Sequence, residues 1–219
     1  MPHLDDRLKA VARQLRSEVH VDIGSDHGHL LKALLAAGRI RRGIAIENKR
    51  QPFENSRHTL AGVNAEVRFA DGLEGVQHGE ANSLSICGMG AESILNILQA
   101  FPSRVPPLVV LQPNRCPEVL RAWGLRNGFH LCDEQLVYGH WPYPILRFEQ
   151  AQDARDPAYE GLGREAALLW GPHLIRRWEP EFVARLREEK RYWSDFKRLG
   201  PDNAQRLQLL HQILSGVQQ

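Results

Sequence analysis

Leu4, Leu8, Val11, Ala12 and Leu15 recur at three- and four-residue steps, the period of an amphipathic helix, and are followed by a short β-rich run, VHVDIG. The same alternation continues down the chain. HLLKALLAAG predicts a helix ended by Gly38, GIAIE a buried strand closing on an acid, and Pro52 through Leu60 a second helix opened by proline. AEVRFA and SLSICG read as strands, ESILNILQAF as a helix, PPLVVLQPN as a strand and PEVLRAWGLRNG as a helix. FHLCDEQLVY and YPILRFE, joined by the turn-rich GHWP, predict a closing hairpin. Five parallel strands with an antiparallel pair at the end make an α/β, doubly wound sheet.

Beyond residue 150 the pattern changes. AQDARDPAYEGLG reads as a loop and the remainder as helices without strands. Trp178, Phe182 and Leu186, then Trp193, Phe196 and Leu199, and finally Leu207, Leu210, Ile213 and Leu214 fall at helical steps. They predict a hairpin of two amphipathic helices turned at LGPDN, so that residues 1–150 form one domain and 151–219 a helical appendage. That appendage serves either as a packing extension or as a platform for a large substrate. Positive and negative side chains nearly balance on both sides of residue 150, and the whole chain carries a formal net charge of only +2, so any nucleic-acid contact must be local. Three cysteines without a CxxC pair argue against a disulfide framework and a cysteine zinc site, and place the chain in a reduced cytoplasm. The charged N-terminus lacks a signal-peptide pattern and no apolar run approaches a membrane span; a soluble, cytoplasmic monomer is the expectation.

The chemistry concentrates in VDIGSDHGHL, residues 21–30. A dinucleotide fingerprint spaces its glycines as GxGxxG to cradle a pyrophosphate. Here Gly24 and Gly28 flank Asp26, and Asp22 precedes them. A carboxylate at that point repels a phosphate by about 1 kcal/mol in water and several in a partly buried cleft. The ligand that suits a doubly acidic turn is a cationic nucleoside without phosphate, such as S-adenosyl-L-methionine, with its ammonium and sulfonium. Asp22 then orients the glycine loop or reaches the amino-acid portion. Glu47, with Asn48 beside it, closes the second strand where an acid accepts both ribose hydroxyls. Asp71 and Gly72, after the third strand, sit where the adenine amino group is gripped. Taken singly, Asp71-Gly72 is a plain turn and Glu47 a solvated strand end; their order along successive strands is the specific signal. His27 and His29 with Asp22 and Asp26 also suit a metal site. No second ligand cluster supports one, because His58, His78, His130, His140 and His173 are scattered, and no metal is expected.

With CGMGAESI and VVLQPN added to DIGSDHGHL, the chain resembles the bacterial tRNA (adenine-22 N1)-methyltransferase family, and echoes of LDDRLKAVA and GPHLIRRWEPEFVARLREE extend the likeness over nearly its whole length. The resemblance implies a Rossmann-like methyltransferase sheet, S-adenosylmethionine as donor, tRNA as partner and a C-terminal coiled-coil-like domain. Asp22, Gly24, Ser25, Asp26 and His27 match the family's first motif, Glu47 its ribose acid, Gly88, Met89 and Gly90 its fourth motif, and Gln112, Pro113 and Asn114 its LQPN. The chain departs from the family at His29, Leu31, Gln51, Cys87, Ala91 and Pro144, positions expected to cluster around the cleft.

Methyl transfer to adenine N1 is an in-line displacement in which positioning and electrostatics dominate. Asp26 is the candidate for stabilising the charge that moves onto the ring, with cofactor binding alone as its other role. Asn114 and the backbone around Gly88-Met89 are candidates for the base edge, Gln112 for substrate contact, and Met89 and Tyr143 for stacking on a splayed-out base. Arg39, Arg41, Arg42, Lys49, Arg50 and Arg57 form the richest local excess of cations, with Arg41 and Arg42 the expected phosphate contacts beside the cleft. Two other functions fit the same residues: a methyltransferase of this fold acting on another RNA or a small molecule, and a non-catalytic module that retains the cofactor.

Overall fold

The computed structural model describes residues 4–139, 141–153 and 155–216; His140, in the turn expected between the last two strands, lies outside them. The chain divides into two compact units, Met1–Asp156 and Pro157–Gln219.

In the first unit, α1 (Asp6–Gln14) is capped by Asp5, whose carboxylate accepts from the amide of Leu8 at 2.7 Å. Then follow β1 (Ser17–Ile23), α2 (His29–Ala36), β2 (Ile40–Glu47), α3 (Arg50–Thr59), β3 (Ala65–Phe69), β4 (Ser83–Met89), α4 (Ala91–Ala100), β5 (Leu108–Pro113), α5 (Pro117–Arg126), β6 (Phe129–Tyr138) and β7 (Pro142–Gln150). They build one seven-stranded sheet in the order β3-β2-β1-β4-β5-β7-β6. β1 to β5 pair in parallel, and β7 runs antiparallel between β5 and β6. The hairpin expected at the end is present; its second strand, not its first, joins the parallel set. The helix expected from Pro52 begins two residues earlier, at Arg50. First-turn amides have no partner within a helix, so proline is tolerated there.

The topology reverses at β1, which lies between β2 and β4, and a crevice opens beyond the carboxyl ends of these strands. Below it, Val11, Leu15, Leu31, Leu34, Ile40, Ala45 and Val110 form a core in which each is at most 3% exposed. Away from the crevice, Trp123 stacks on Phe129 at 4.9 Å between ring centroids, and Arg121 on α5 donates through Nε to Glu134 on β6 at 2.8 Å, both side chains being buried.

The second unit contains α6 (Arg164–Trp170), α7 (Pro172–Arg177), α8 (Pro180–Ser194) and α9 (Pro201–Gly216), with α9 packed on α8 and α6. Two short helices thus precede the expected hairpin. Trp178 is not on α8: it adopts a left-handed conformation (φ 48°) after α7, Glu179 is extended, and the helix restarts at Pro180. Phe196 and Leu199 also fall outside, in the connection between α8 and α9. Leu210 is fully buried, and the Trp170 indole donates to Glu189 Oε2 at 3.0 Å, a carboxylate that Arg206 also engages. Among the described residues no helix is long and apolar enough to cross a membrane.

Candidate functional site

The turn after β1 reaches its conformation through two glycines and one aspartate in the left-handed region: Gly24 (φ 71°), Asp26 (φ 58°) and Gly28 (φ 68°). The left-handed backbone favours glycine at both positions, and a Cβ on Gly24 would displace the Met89 methyl while one on Gly28 would meet Leu60 at 2.9 Å. Asp26 pays for its left-handed backbone with a hydrogen bond, its amide donating to Glu47 across the crevice.

Asp22 is 4% exposed at the end of β1. Its Oδ1 accepts from Ser85 Oγ at 2.6 Å and its Oδ2 from Ser25 Oγ at 2.7 Å. Burial raises its pKa; the two hydroxyls and the charge of Arg7 pull the other way. Glu47, 5% exposed at the end of β2, is raised to about 6, first by burial and opposed chiefly by the Asp26 amide. Asp26 differs from both: its carboxylate is exposed at the rim, 3.6 Å from His27 Nε2, and His27 stacks on His29 at 5.4 Å.

These groups line two adjoining cavities. The first, of about 500 Å³, is bounded by Arg7, Asp22, Gly24, Ser25, Asp26 and His27, and on its far wall by Cys87, Gly88 and Met89. The second, of about 310 Å³, is bounded by Asp71, Gly72, Ser93, Asn96 and Ile97. Gly24, Glu47, Asn48 and Met89 belong to both. Asn48 Nδ2 donates to Asp71 Oδ1 at 2.9 Å and so holds that exposed carboxylate at the mouth of the second. Every residue expected to bind the donor therefore lines one of the two cavities except Gly28, which shapes the turn from beneath.

The acceptor-side residues divide. Asn114 Nδ2 donates to Gly88 O at 2.8 Å, and its backbone amide to Met89 O at 2.8 Å, so it braces the bulge at which β4 loses register with β5. Gln112 is fully buried rather than open to a substrate: Oε1 accepts from Arg7 Nη1 at 2.6 Å and from the Gly88 amide at 3.1 Å, while Nε2 donates to Pro113 O at 2.9 Å. It supports the loop. Tyr143 lies beneath the Arg7 guanidinium, 5.9 Å from ring centroid to Cζ.

Arg41 and Arg42 are not beside the cleft. They stand at the amino end of β2, six and five residues from Glu47, a separation of about 20 and 16 Å at strand rise. Arg42 pairs with Glu66 at 3.0 Å and Glu80 at 3.5 Å, and Arg41 with Glu18 at 3.1 Å. Arg41 does line a separate broad groove of about 950 Å³ between α2 and α3, with Lys32, His58 and His29; His29 also borders the first cavity.

The positions expected to depart from the family do not cluster around the cleft. His29 and Cys87 face the first cavity; Leu31, Ala91 and Pro144 are buried in the core, and Gln51 is on the exposed face of α3, bonded to Asn55. Burial beside Asp22 pushes the Cys87 thiol well above its usual range, which leaves it protonated and unsuited to nucleophilic attack. Among the described residues no three His, Cys, Asp or Glu side chains converge as a metal site. Ser85, Ser93 and Asn96 escaped sequence reasoning, as did the charged residue Arg7. It occupies the boundary of α1's apolar stripe, and nothing in the helix's own pattern points to a crevice built by strands that follow it.

A model of the tRNA (adenine(22)-N(1))-methyltransferase family, TrmK, matches residues 20–218. The Bacillus subtilis (strain 168) protein of that name is 31% identical over 193 residues, covering 85% of this chain and 81% of that one. Its crystal structure, the B. subtilis M1A22 tRNA methyltransferase TrmK, superposes with a TM-score of 0.88 at 28% identity over 98% of this chain and 100% of the other. Streptococcus pneumoniae Sp1610 in complex with S-adenosyl-L-methionine superposes with a TM-score of 0.83 at 25% identity, covering 97% and 100% of the two chains.

Proposed function

The chain belongs to the tRNA (adenine(22)-N(1))-methyltransferase family, and from that premise we propose how its crevice serves methyl transfer from S-adenosylmethionine to N1 of an adenine in tRNA. The observation that carries the reading is the pair of adjoining cavities with Asp22 in one, Asp71 at the other and Glu47 on their shared wall. The residues fit the donor: three acids, a turn whose glycines take the left-handed backbone, and one arginine. When bound, S-adenosylmethionine supplies a methyl group on a sulfonium to an attacking lone pair.

The chain's own groups divide the work. Asp22 receives the ammonium and Arg7 the carboxylate of the amino-acid end. Glu47 accepts from the ribose hydroxyls, and Asp71, held by Asn48, takes the adenine amino group over Gly72. Asp26, exposed at the rim, compensates the positive charge that develops on the acceptor ring. Asn114, whose Nδ2 is committed to Gly88, presents its Oδ1 to the exocyclic amine of the acceptor. Met89 and Tyr143 offer surfaces on which the base stacks. Arg41 and Lys32 contact tRNA phosphates along the groove that meets the first cavity at His29; every titratable side chain lining that groove is basic or an imidazole. Cytoplasmic residence and the helical unit's service as a tRNA platform belong to the same reading.

Incubation with methyl-labelled S-adenosylmethionine and unmodified tRNA, followed by nuclease digestion, tests it. Labelled 1-methyladenosine at position 22 is the expected product. Label in another nucleoside would overturn the acceptor assignment, and donor binding without transfer would make the protein a cofactor-retaining module.

A further inference from the structure

His20 and Asp22 are two residues apart on β1 and face the same side of the sheet; Ser83 and Ser85 are two apart on β4, and the parallel register pairs His20 with Ser83 and Asp22 with Ser85. HVD beside SLS therefore forms a two-by-two polar block in the middle of an apolar sheet. His20, Ser83 and Ser85 are fully buried. His20 Nδ1 lies 2.7 Å from Ser83 Oγ and its Nε2 2.9 Å from Ser85 Oγ, and Ser83 Oγ is 2.6 Å from Ser17 Oγ.

With Asp22 ionised, the form that pairs with an ammonium, one order of protons satisfies this chain. Ser85 donates to Asp22, so its oxygen accepts, and His20 carries its proton on Nε2. The bare Nδ1 accepts from Ser83, and Ser83 accepts from Ser17. All donors then point toward Asp22, whose second oxygen is held by Ser25. Burial lowers the His20 pKa to about 3, which keeps the ring neutral and this polarity intact.

We propose that His20 is a positioning residue for the donor site: through Ser85 it fixes the orientation of the Asp22 carboxylate. The inference rests on the assignment of Asp22 to the donor's ammonium. Without the imidazole, the Ser85 hydroxyl is free to rotate away from Asp22, and the buried carboxylate loses one of its two fixed donors.

Isothermal titration with S-adenosylmethionine, below the melting midpoint of each variant, tests the relay. Asparagine places its amide near Nδ1 and glutamine near Nε2. His20→Asn is therefore expected to raise the donor Kd about 5- to 10-fold, as does Ser85→Ala, while His20→Gln restores it to within about twofold of wild type. The His20→Asn/Ser85→Ala double variant is expected to bind no more weakly than Ser85→Ala alone. A merely structural histidine would lower Tm in both His20 variants and leave Kd unchanged; that result, equal losses of affinity in the two, or additive losses in the double variant would overturn the relay. If His20→Asn does not fold, Ser83→Ala tests the far side of the ring, with a loss of about threefold expected and wild-type affinity overturning the proposal. Wild type failing to bind S-adenosylmethionine would instead overturn the donor-site assignment itself, and the relay with it.

Discussion

The two ends of the parallel strands are both rich in charge and use it differently. At the amino ends, Arg42 pairs with Glu66 and Glu80, and Arg41 with Glu18, so that opposite charges cancel. At the carboxyl ends, Asp22 and Glu47 are buried and their hydrogen bonds come from hydroxyls and an amide, which hold a negative charge without neutralising it. The first arrangement is self-sufficient. The second keeps an unbalanced field in a place from which water is partly excluded, and it is completed by a cationic ligand.

The largest effect expected from this contrast is at Asp22. Asp22→Asn keeps the shape and removes the charge, and should weaken S-adenosylmethionine binding about a hundredfold, the upper range for a hydrogen-bonded charge. An affinity within threefold of wild type, measured by titration calorimetry, would erase the distinction between the two ends.

Next in size is a pH effect at Glu47. Its raised pKa means that ionisation in the free crevice is completed only above about 6. Ribose hydroxyls donate to the ionised form, so binding favours loss of the proton. Donor affinity should rise about tenfold from pH 5 to pH 7 and then level off, with a proton released near pH 6. The stability of the free protein moves the opposite way. A carboxyl whose folded pKa exceeds its unfolded one contributes stability at low pH that is lost as pH rises through 6. Glu47→Gln should flatten both trends, and a wild-type affinity independent of pH would remove Glu47 from the ribose site.

Much of this contrast was legible in the residues themselves. Apolar runs located every strand of the sheet, although β2 begins three residues before the GIAIE read as its start, and acids at the ends of β1, β2 and β3 stood out because a strand's end is marked by where its apolar run stops. What escaped was whatever depends on neighbours distant in sequence. Arg7 reaches the crevice because α1 lies alongside strands that come later in the chain, and Gln112 turns inward because Arg7 and Gly88 meet its amide. Leu31 and Pro144, expected beside the cleft, are buried, and local spacing cannot separate such positions from cleft positions one residue away. Arg41 and Arg42 are near Glu47 in sequence, yet an extended strand carries them to the opposite end of the sheet.

That last separation supplies the smallest test. Arg41 and Glu18 are both largely exposed, a pairing weak enough for a phosphate to compete with it, whereas Arg42 shares two carboxylates, one of which, Glu80, is only 14% exposed. Lys32→Ala with Arg41→Ala should weaken tRNA binding about three- to tenfold and lessen its salt dependence, since each lost phosphate contact removes about one counterion from the slope. Arg42→Ala should leave tRNA affinity unchanged and cost at most about 1 kcal/mol of stability by denaturant titration. If Arg42→Ala weakened tRNA binding as much as the double variant, the amino ends of the strands would be a binding surface in their own right. Their ion pairs would then be a resting arrangement that RNA opens.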